Sequence, residues 1–145
     1  MTPDQGEPTP DLEQQVRLHL LSDGPLYDAA CTFVRDQQSN LPANSQLMGL
    51  LQAARTWNDL QAFIKHQLER DWGDPRYPDF YRALDRSLKE IVPKYVTMFV
   101  PEHLAKKDAR REQDRWSGLL AREFIQHLYA QAILQPHLKQ PDHDS

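Results

Sequence analysis

The chain has 145 residues, of which 39% are hydrophobic, and it carries a formal net charge of −4. This length predicts one domain that is stabilised by its own core, and the single cysteine excludes an intrachain disulfide and a multi-cysteine zinc site. The negative net charge disfavours a bulk nucleic-acid binder, although residues 50–126 hold fourteen basic side chains against twelve acidic ones.

The two ends of the chain differ in composition from the rest. Residues 1–10 and 136–145 are rich in proline and polar side chains, so we expect disordered tails around one helical domain at residues 11–135. The N-terminal residues lack the basic and apolar regions of a signal peptide, and the apolar runs are only a few residues long. We therefore expect a cytoplasmic protein that has no membrane partner.

Two helices are predicted before residue 40, with a break between them. Apolar side chains repeat at helical spacing over about residues 10–22, and again from Leu26 to about Gln38. Between these segments, the sequence Ser22-Asp23-Gly24-Pro25 predicts a break, with Pro25 in the first turn of the second helix. A turn at Asn40-Leu41-Pro42 follows.

The next two helices have clearer start signals. The third is predicted to begin at Asn44 or Ser45, where its apolar repeat starts. Thr56 is predicted to cap the N-terminus of the fourth, because its hydroxyl can accept a hydrogen bond from the amide of Asp59. The fourth helix is predicted to run from Trp57 to about residue 71.

Two further helices complete the predicted fold. The fifth opens at Pro78 and is closed by Pro93, and the β-prone segment Tyr95–Val100 predicts an extended or irregular core connection. The last helix is predicted from Pro101 to about residue 134, with Gly118 inside it. The predicted fold class is all-α: a compact bundle of five to six helices with a long C-terminal helix.

The sequence contains no recognisable catalytic or cofactor motif. It lacks a P-loop, a GxSxG motif and an HExxH motif. Glu123 and His127 are four residues apart, a spacing that fits a structural Glu–His pair or solvated side chains better than a metal site, which needs a third ligand. His66 and His103 join no cluster, and Cys31 is expected to be a small buried core residue. We expect no enzyme activity, no metal and no cofactor.

Basic side chains recur at helical spacing in the second half of the chain and form a candidate nucleic-acid interface. One stripe lies on the fifth helix, a second lies on the last helix, and further cations border the aromatic link at Trp72 and Tyr77. Spaced cations near aromatic rings can follow a phosphate backbone without reading the base sequence. The candidate nucleic-acid-binding residues are Lys65, Arg70, Arg82, Arg86, Lys89, Lys107, Arg110, Arg111 and Arg115.

An ordinary solvated surface is the alternative interpretation of these cations. Asp108, Glu112 and Asp114 interleave with the stripe on the last helix and can form pairs within it. Residues 105–115 are therefore also compatible with a charged helix that stands in solvent.

Two helical segments within residues 41–91 carry a resemblance to a known family. They are LPANSQLMGLLQAARTWNDLQAFIKHQLERD and YPDFYRALDRSLKEI, with Ser-Gln-Leu at a helix start and Phe-Tyr-x-x-Leu in a later helix. This stretch resembles the small helical subunit of type III CRISPR effector complexes. The resemblance implies an all-helical, non-catalytic subunit that stacks as a filament beside the guide-RNA-binding backbone subunits and helps to hold the target strand. The candidates in or next to the matching stretch are Lys65, Arg70, Arg82, Arg86 and Lys89.

The function expected from these observations is that of a non-catalytic small subunit of an RNA-guided effector complex. Its expected partners are other subunits of a ribonucleoprotein complex, copies of itself and single-stranded RNA, which it would contact without sequence specificity. The alternative is a helical adaptor or regulator that binds a protein partner and no nucleic acid. An enzyme with an unrecognised site is the third and weakest interpretation.

Overall fold

The computed structural model describes residues 12–134, and in this part of the chain it contains six α-helices and no β-strand. The all-α prediction is thus confirmed, as is the long C-terminal helix. The predicted tails at residues 1–10 and 136–145 lie outside the described residues. The helices are α1 (Leu12–Leu21), α2 (Tyr27–Asp36), α3 (Asn44–Ala53), α4 (Trp57–Glu69), α5 (Arg76–Val96) and α6 (Lys106–Leu134).

Helix α6 is the centre of the bundle, because α2, α3, α4 and α5 all pack against it. Its buried side chains begin at Trp116 and recur every four residues through Leu120, Phe124, Leu128 and Ala132. Phe124 meets Phe33 of α2 edge-on, with 6.1 Å between the ring centroids. By contrast, none of the side chains from residue 106 to residue 115 is buried.

The predicted break at residues 22–25 is wrong. Ser22–Leu26 forms a π-helical turn that joins α1 directly to α2, and Leu21 and Tyr27 on either side are both helical. Pro25 has no amide hydrogen, and its ring would collide with a carbonyl of the preceding turn in a regular α-helix. The wider turn avoids this conflict, since the amide of Tyr27 donates to the carbonyl of Ser22 five residues earlier.

The prediction that Pro93 closes the fifth helix is also wrong. Helix α5 continues to Val96, and it begins at Arg76, two residues before the predicted start. Pro93 has no amide hydrogen, so the carbonyl of Lys89, four residues earlier, lacks its helical partner. Both residues are exposed, and water can therefore solvate this carbonyl. A single proline on the solvent side therefore does not end this helix.

The connection between α5 and α6 begins with a helical turn rather than an extended segment. The amides of Met98 and Phe99 donate to the carbonyls of Tyr95 and Val96, both over 3.0 Å. The expected core role of this segment holds, since Phe99 is buried and stacks on Trp116 with 4.3 Å between ring centroids. Helix α6 begins at residue 106, five residues after the predicted start.

The predicted N-cap at Thr56 is confirmed. Its hydroxyl accepts a hydrogen bond from the Asp59 amide over 3.0 Å, and its extended backbone (φ −135°, ψ 162°) is typical of a capping residue. None of the helices of residues 12–134 combines the length and the apolar composition that a bilayer-spanning helix requires.

Candidate nucleic-acid interface

The first turn of α4 lies unusually close to α6, and Gly118 makes this approach possible. A Cβ atom on Gly118 would lie 3.0 Å from the backbone nitrogen of Trp57 and 3.5 Å from the carbonyl carbon of Thr56. Both neighbours are backbone atoms, which cannot rotate away as a flexible side chain can. The glycine inside α6 thus fixes the N-terminus of α4 against the middle of α6.

A groove of about 580 Å³ opens where these two helices meet. Its wall combines two arginines, the capped start of α4 and the half-buried ring of Trp57. Helix N-termini carry a partial positive charge, and their first-turn amides have no acceptor within the helix. The lining residues are Arg55, Thr56, Trp57, Asn58, Asp114, Arg115, Gly118 and Leu119.

The arginines of this region differ in their partners. Arg55 is exposed and forms no ion pair among residues 12–134. Arg115 pairs with Glu112, with 3.2 Å between Nη1 and Oε1. Arg122 lies beside the groove, since its Nη1 donates to the carbonyl of Ala54, the residue before Arg55, over 3.5 Å. Three cations therefore surround the α3–α4 junction.

The remaining predicted cations of α6 lie on its exposed first turns. Lys107 and Arg110 are exposed and form no ion pair within the described part of the chain, while Arg111 approaches Asp108 at 3.9 Å. These turns lead along α6 to Arg115 and the groove. This arrangement fits a charged helix that is simply solvated, and it also fits a basic surface that leads to the groove.

The predicted stripe on α5 lies among carboxylates. Arg82 pairs with Asp79, and Lys89 pairs with Asp85 at 3.2 Å. Arg86 has no ion pair among the described residues, but it lines a surface depression that also contains three carboxylates: Asp28, Asp36 and Glu90. Surroundings of this charge disfavour contact with phosphate.

The cations at the end of α4 are separate from the groove residues. Lys65 is exposed, and the Arg70 guanidinium lies 4.1 Å above the ring of Trp72. That ring also stacks on Tyr81, and its Nε1 donates to the carbonyl of Gln67 over 2.8 Å. The aromatic link is thus packed against its own neighbours, which leaves less ring surface for an incoming base.

A polar cluster connects the π-helical turn to α6. The Ser22 hydroxyl donates to Glu123 Oε1 over 2.6 Å and lies 2.9 Å from Nε2 of His127. Since the hydroxyl has one hydrogen, His127 donates to Ser22 and cannot take a proton from it in this arrangement. Ser22 is buried, so the cluster joins two helices rather than presenting a nucleophile.

The other candidate ligands remain apart. His66 and His103 are exposed, and no group of three or more His, Cys, Asp or Glu side chains in residues 12–134 could hold a metal ion. Cys31 is half-buried rather than fully buried as expected. Its thiol forms a hydrogen bond with Tyr27, which raises the pKa of the Tyr27 hydroxyl.

No family model, curated protein or solved structure matches this chain. The function proposed below therefore depends on the geometry of the groove. Sequence reasoning identified Arg115 and the capping role of Thr56, but it missed Arg55, Trp57 and Asn58 as site residues. A cation, a helix cap and an aromatic residue in succession at 55–57 were the available signal.

Proposed function

We propose that the protein is a non-catalytic small subunit of an RNA-guided nucleoprotein complex and contacts the backbone of single-stranded RNA. The observation that carries this proposal is the groove at the start of α4, with Arg55 and Arg115 in its wall. The α3–α4 junction lies within residues 41–91, the stretch that resembles the small subunit of type III CRISPR complexes. The exposed cations of α6 add a second, weaker support.

The groove offers the two kinds of contact that single-stranded RNA uses. Guanidinium groups donate hydrogen bonds to phosphate oxygens, the partial positive charge at the α4 N-terminus attracts them, and the Trp57 ring is an apolar surface for a base or a sugar. Neither contact distinguishes one base from another. Because Asp114 and Glu112 lie close by and the net charge is −4, we expect weak binding by the isolated chain.

Removal of one groove cation tests the RNA contact. Arg55→Gln is expected to weaken the binding of a fluorescent oligouridine by roughly fivefold or more and to lower the slope of log K against log salt by about 0.7, the value for one phosphate contact. Fluorescence anisotropy over a range of salt concentrations gives both quantities.

Arg82→Gln is the matched control, since it removes another exposed arginine, which pairs with Asp79 on α5, away from the groove. It is expected to leave affinity and salt slope nearly unchanged. Equal losses in the two variants would show that only overall charge matters. No salt-dependent binding by the unmodified chain would contradict the RNA contact altogether.

A helical adaptor that binds protein and no nucleic acid is the second candidate function. The observation that favours it is a row of exposed apolar side chains on α1, where Leu12, Val16 and Leu20 are 74%, 49% and 64% exposed. Exposed apolar rows of this kind mark interaction surfaces. Failure of RNA binding together with association of a different protein, rather than a second copy of this chain, through α1 would favour this candidate.

A further inference from the structure

The exposed apolar row on α1 borders a second groove, separate from the RNA groove. Leu12, Val16 and Leu20 follow one another at four-residue intervals, and together with Pro25 and Met98 they line an apolar depression of about 820 Å³. We call these five residues the α1 face. It shares no residue with the groove at the start of α4, so a partner on the α1 face does not occupy the site proposed for RNA.

We propose that the α1 face binds the α1 face of a second copy of this chain, with the two α1 helices antiparallel about a two-fold axis at Val16. Residues 12 and 20 are equally distant from residue 16. An antiparallel copy with Val16 opposite Val16 therefore places Leu12 of each chain opposite Leu20 of the other. A two-fold interface requires this kind of self-complementary pattern, and rows four residues apart are the ridges that interlock in helix pairs.

The charges beside the α1 face are self-complementary in the same arrangement. Glu13 and Arg17 also line the depression, along one edge of the row Leu12, Val16 and Leu20, and they pair within the chain at 3.1 Å. The two-fold axis brings this edge against its own copy, and Glu13 then lies about two residues, roughly 3 Å along the helix, from Arg17 of the second copy. Each interface would gain two such contacts across the axis.

Other occupants fit the α1 face less well. Arg17 is the only lysine or arginine in α1, and it already binds Glu13 and the Met98 carbonyl, so the helix lacks the cations that attract anionic lipid or RNA. Residues 1–11 carry three acidic side chains and one large apolar side chain, Met1, which is too little to cover the depression.

A charge-exchange experiment tests this geometry. Arg17→Glu leaves two acids on this edge, and they meet the same two acids of the second copy, whereas Glu13→Arg places two bases against two bases. Each variant alone is expected to raise the dimer dissociation constant at least tenfold in sedimentation equilibrium. An equimolar mixture is expected to restore association, because the two variants are then complementary.

A second variant avoids the internal contact of Arg17. Val16→Lys places two like charges on the axis and is expected to abolish the dimer without lowering the melting temperature of the monomer, measured below the dimer dissociation constant, since Val16 is exposed in the monomer. Met48→Lys on α3 is the matched control, because it also changes an exposed apolar side chain, and it is expected to leave the dimer intact.

Three results would overturn the proposal. The first is a chain that stays monomeric from micromolar to millimolar concentration. The second is a dimer that Val16→Lys leaves unchanged, and the third is a mixture of the charge variants that does not reassociate. None of these results bears on the oligouridine measurements, because Arg55 and Arg115 lie outside the α1 face.

Discussion

At the residue scale, Gly118 controls how closely α4 approaches α6. Helix propensity alone predicts that Gly118→Ala stabilises the protein by about 1 kcal/mol. The new methyl group would instead meet the backbone nitrogen of Trp57 at 3.0 Å, and overpacking of this kind costs about 1–3 kcal/mol. We expect a net loss of up to about 2 kcal/mol in the free energy of unfolding, measured by urea denaturation.

Gly49 provides the control for this prediction. It also lies inside a helix, but a Cβ atom there would meet only the Phe63 ring, at 3.9 Å, an ordinary van der Waals distance. Gly49→Ala is therefore expected to be neutral or to stabilise by up to about 1 kcal/mol. If both alanine variants stabilise the protein equally, the close approach at Gly118 is not constraining.

Tyr81 is a second residue with a measurable signature. Its hydroxyl is buried without a hydrogen-bond partner among the described residues, and burial raises its pKa from 10.0 to about 12. Ionisation therefore occurs first in the unfolded chain. Below pH 10, Tyr81 is un-ionised in both states and the free energy of unfolding keeps its full value. As the pH rises to 12, ionisation in the unfolded chain lowers that free energy by roughly 2 kcal/mol.

Tyr81→Phe isolates this contribution. At neutral pH the variant is expected to be as stable as the unmodified chain or slightly more stable, because no hydrogen bond to Tyr81 is lost. Between pH 10 and 12 its melting temperature should fall less steeply. Identical alkaline slopes for the two proteins would show that Tyr81 ionises equally easily in the folded and unfolded states.

At the element scale, one buried hydroxyl links the π-helical turn to two polar side chains of α6. Ser22→Ala leaves Glu123 and His127 without their shared partner in the cluster, so we expect a loss of about 1–3 kcal/mol in unfolding free energy. Ser117→Ala is the control, since Ser117 is a buried serine whose hydroxyl bonds to none of the described residues. Its expected effect is within about 0.5 kcal/mol. Equal losses in both variants would contradict the role of the cluster.

Sequence signals predict helix ends correctly where neighbouring residues alone determine them and tertiary packing does not override them. The Thr56 cap and the start of α3 at Asn44 depend on residues within one turn, and both predictions are confirmed. Pro25 and Pro93 predict breaks, because proline ends most helices. A widened turn at Pro25 and a solvent-facing position at Pro93 are consequences of packing, which the sequence alone does not reveal.

At the scale of the whole molecule, charge spacing along the chain does not predict the surroundings of each cation. The spacing groups Arg82, Arg86 and Lys89 into one stripe, but Asp28 and Asp36 of α2 line the surface depression that contains Arg86. Arg55 belongs to no stripe on a single helix, so charge spacing does not select it. Arg55 belongs to the candidate site because α6 brings Arg115, sixty residues later in the chain, to the same groove. Contacts of this range depend on the packing of the bundle.

The first ten residues of α6, Lys106–Arg115, bury no side chain. Selection for folding therefore constrains this segment only weakly, while the segment still sets much of the electrostatic character of the exposed surface. Related proteins could exchange lysines and arginines there for acids and so acquire a different affinity, with an unaltered hydrophobic interior. Comparative sequencing should find rapid turnover of charge at residues 106–111, before Glu112 and Arg115 of the groove region, beside slow change from Trp116 onward.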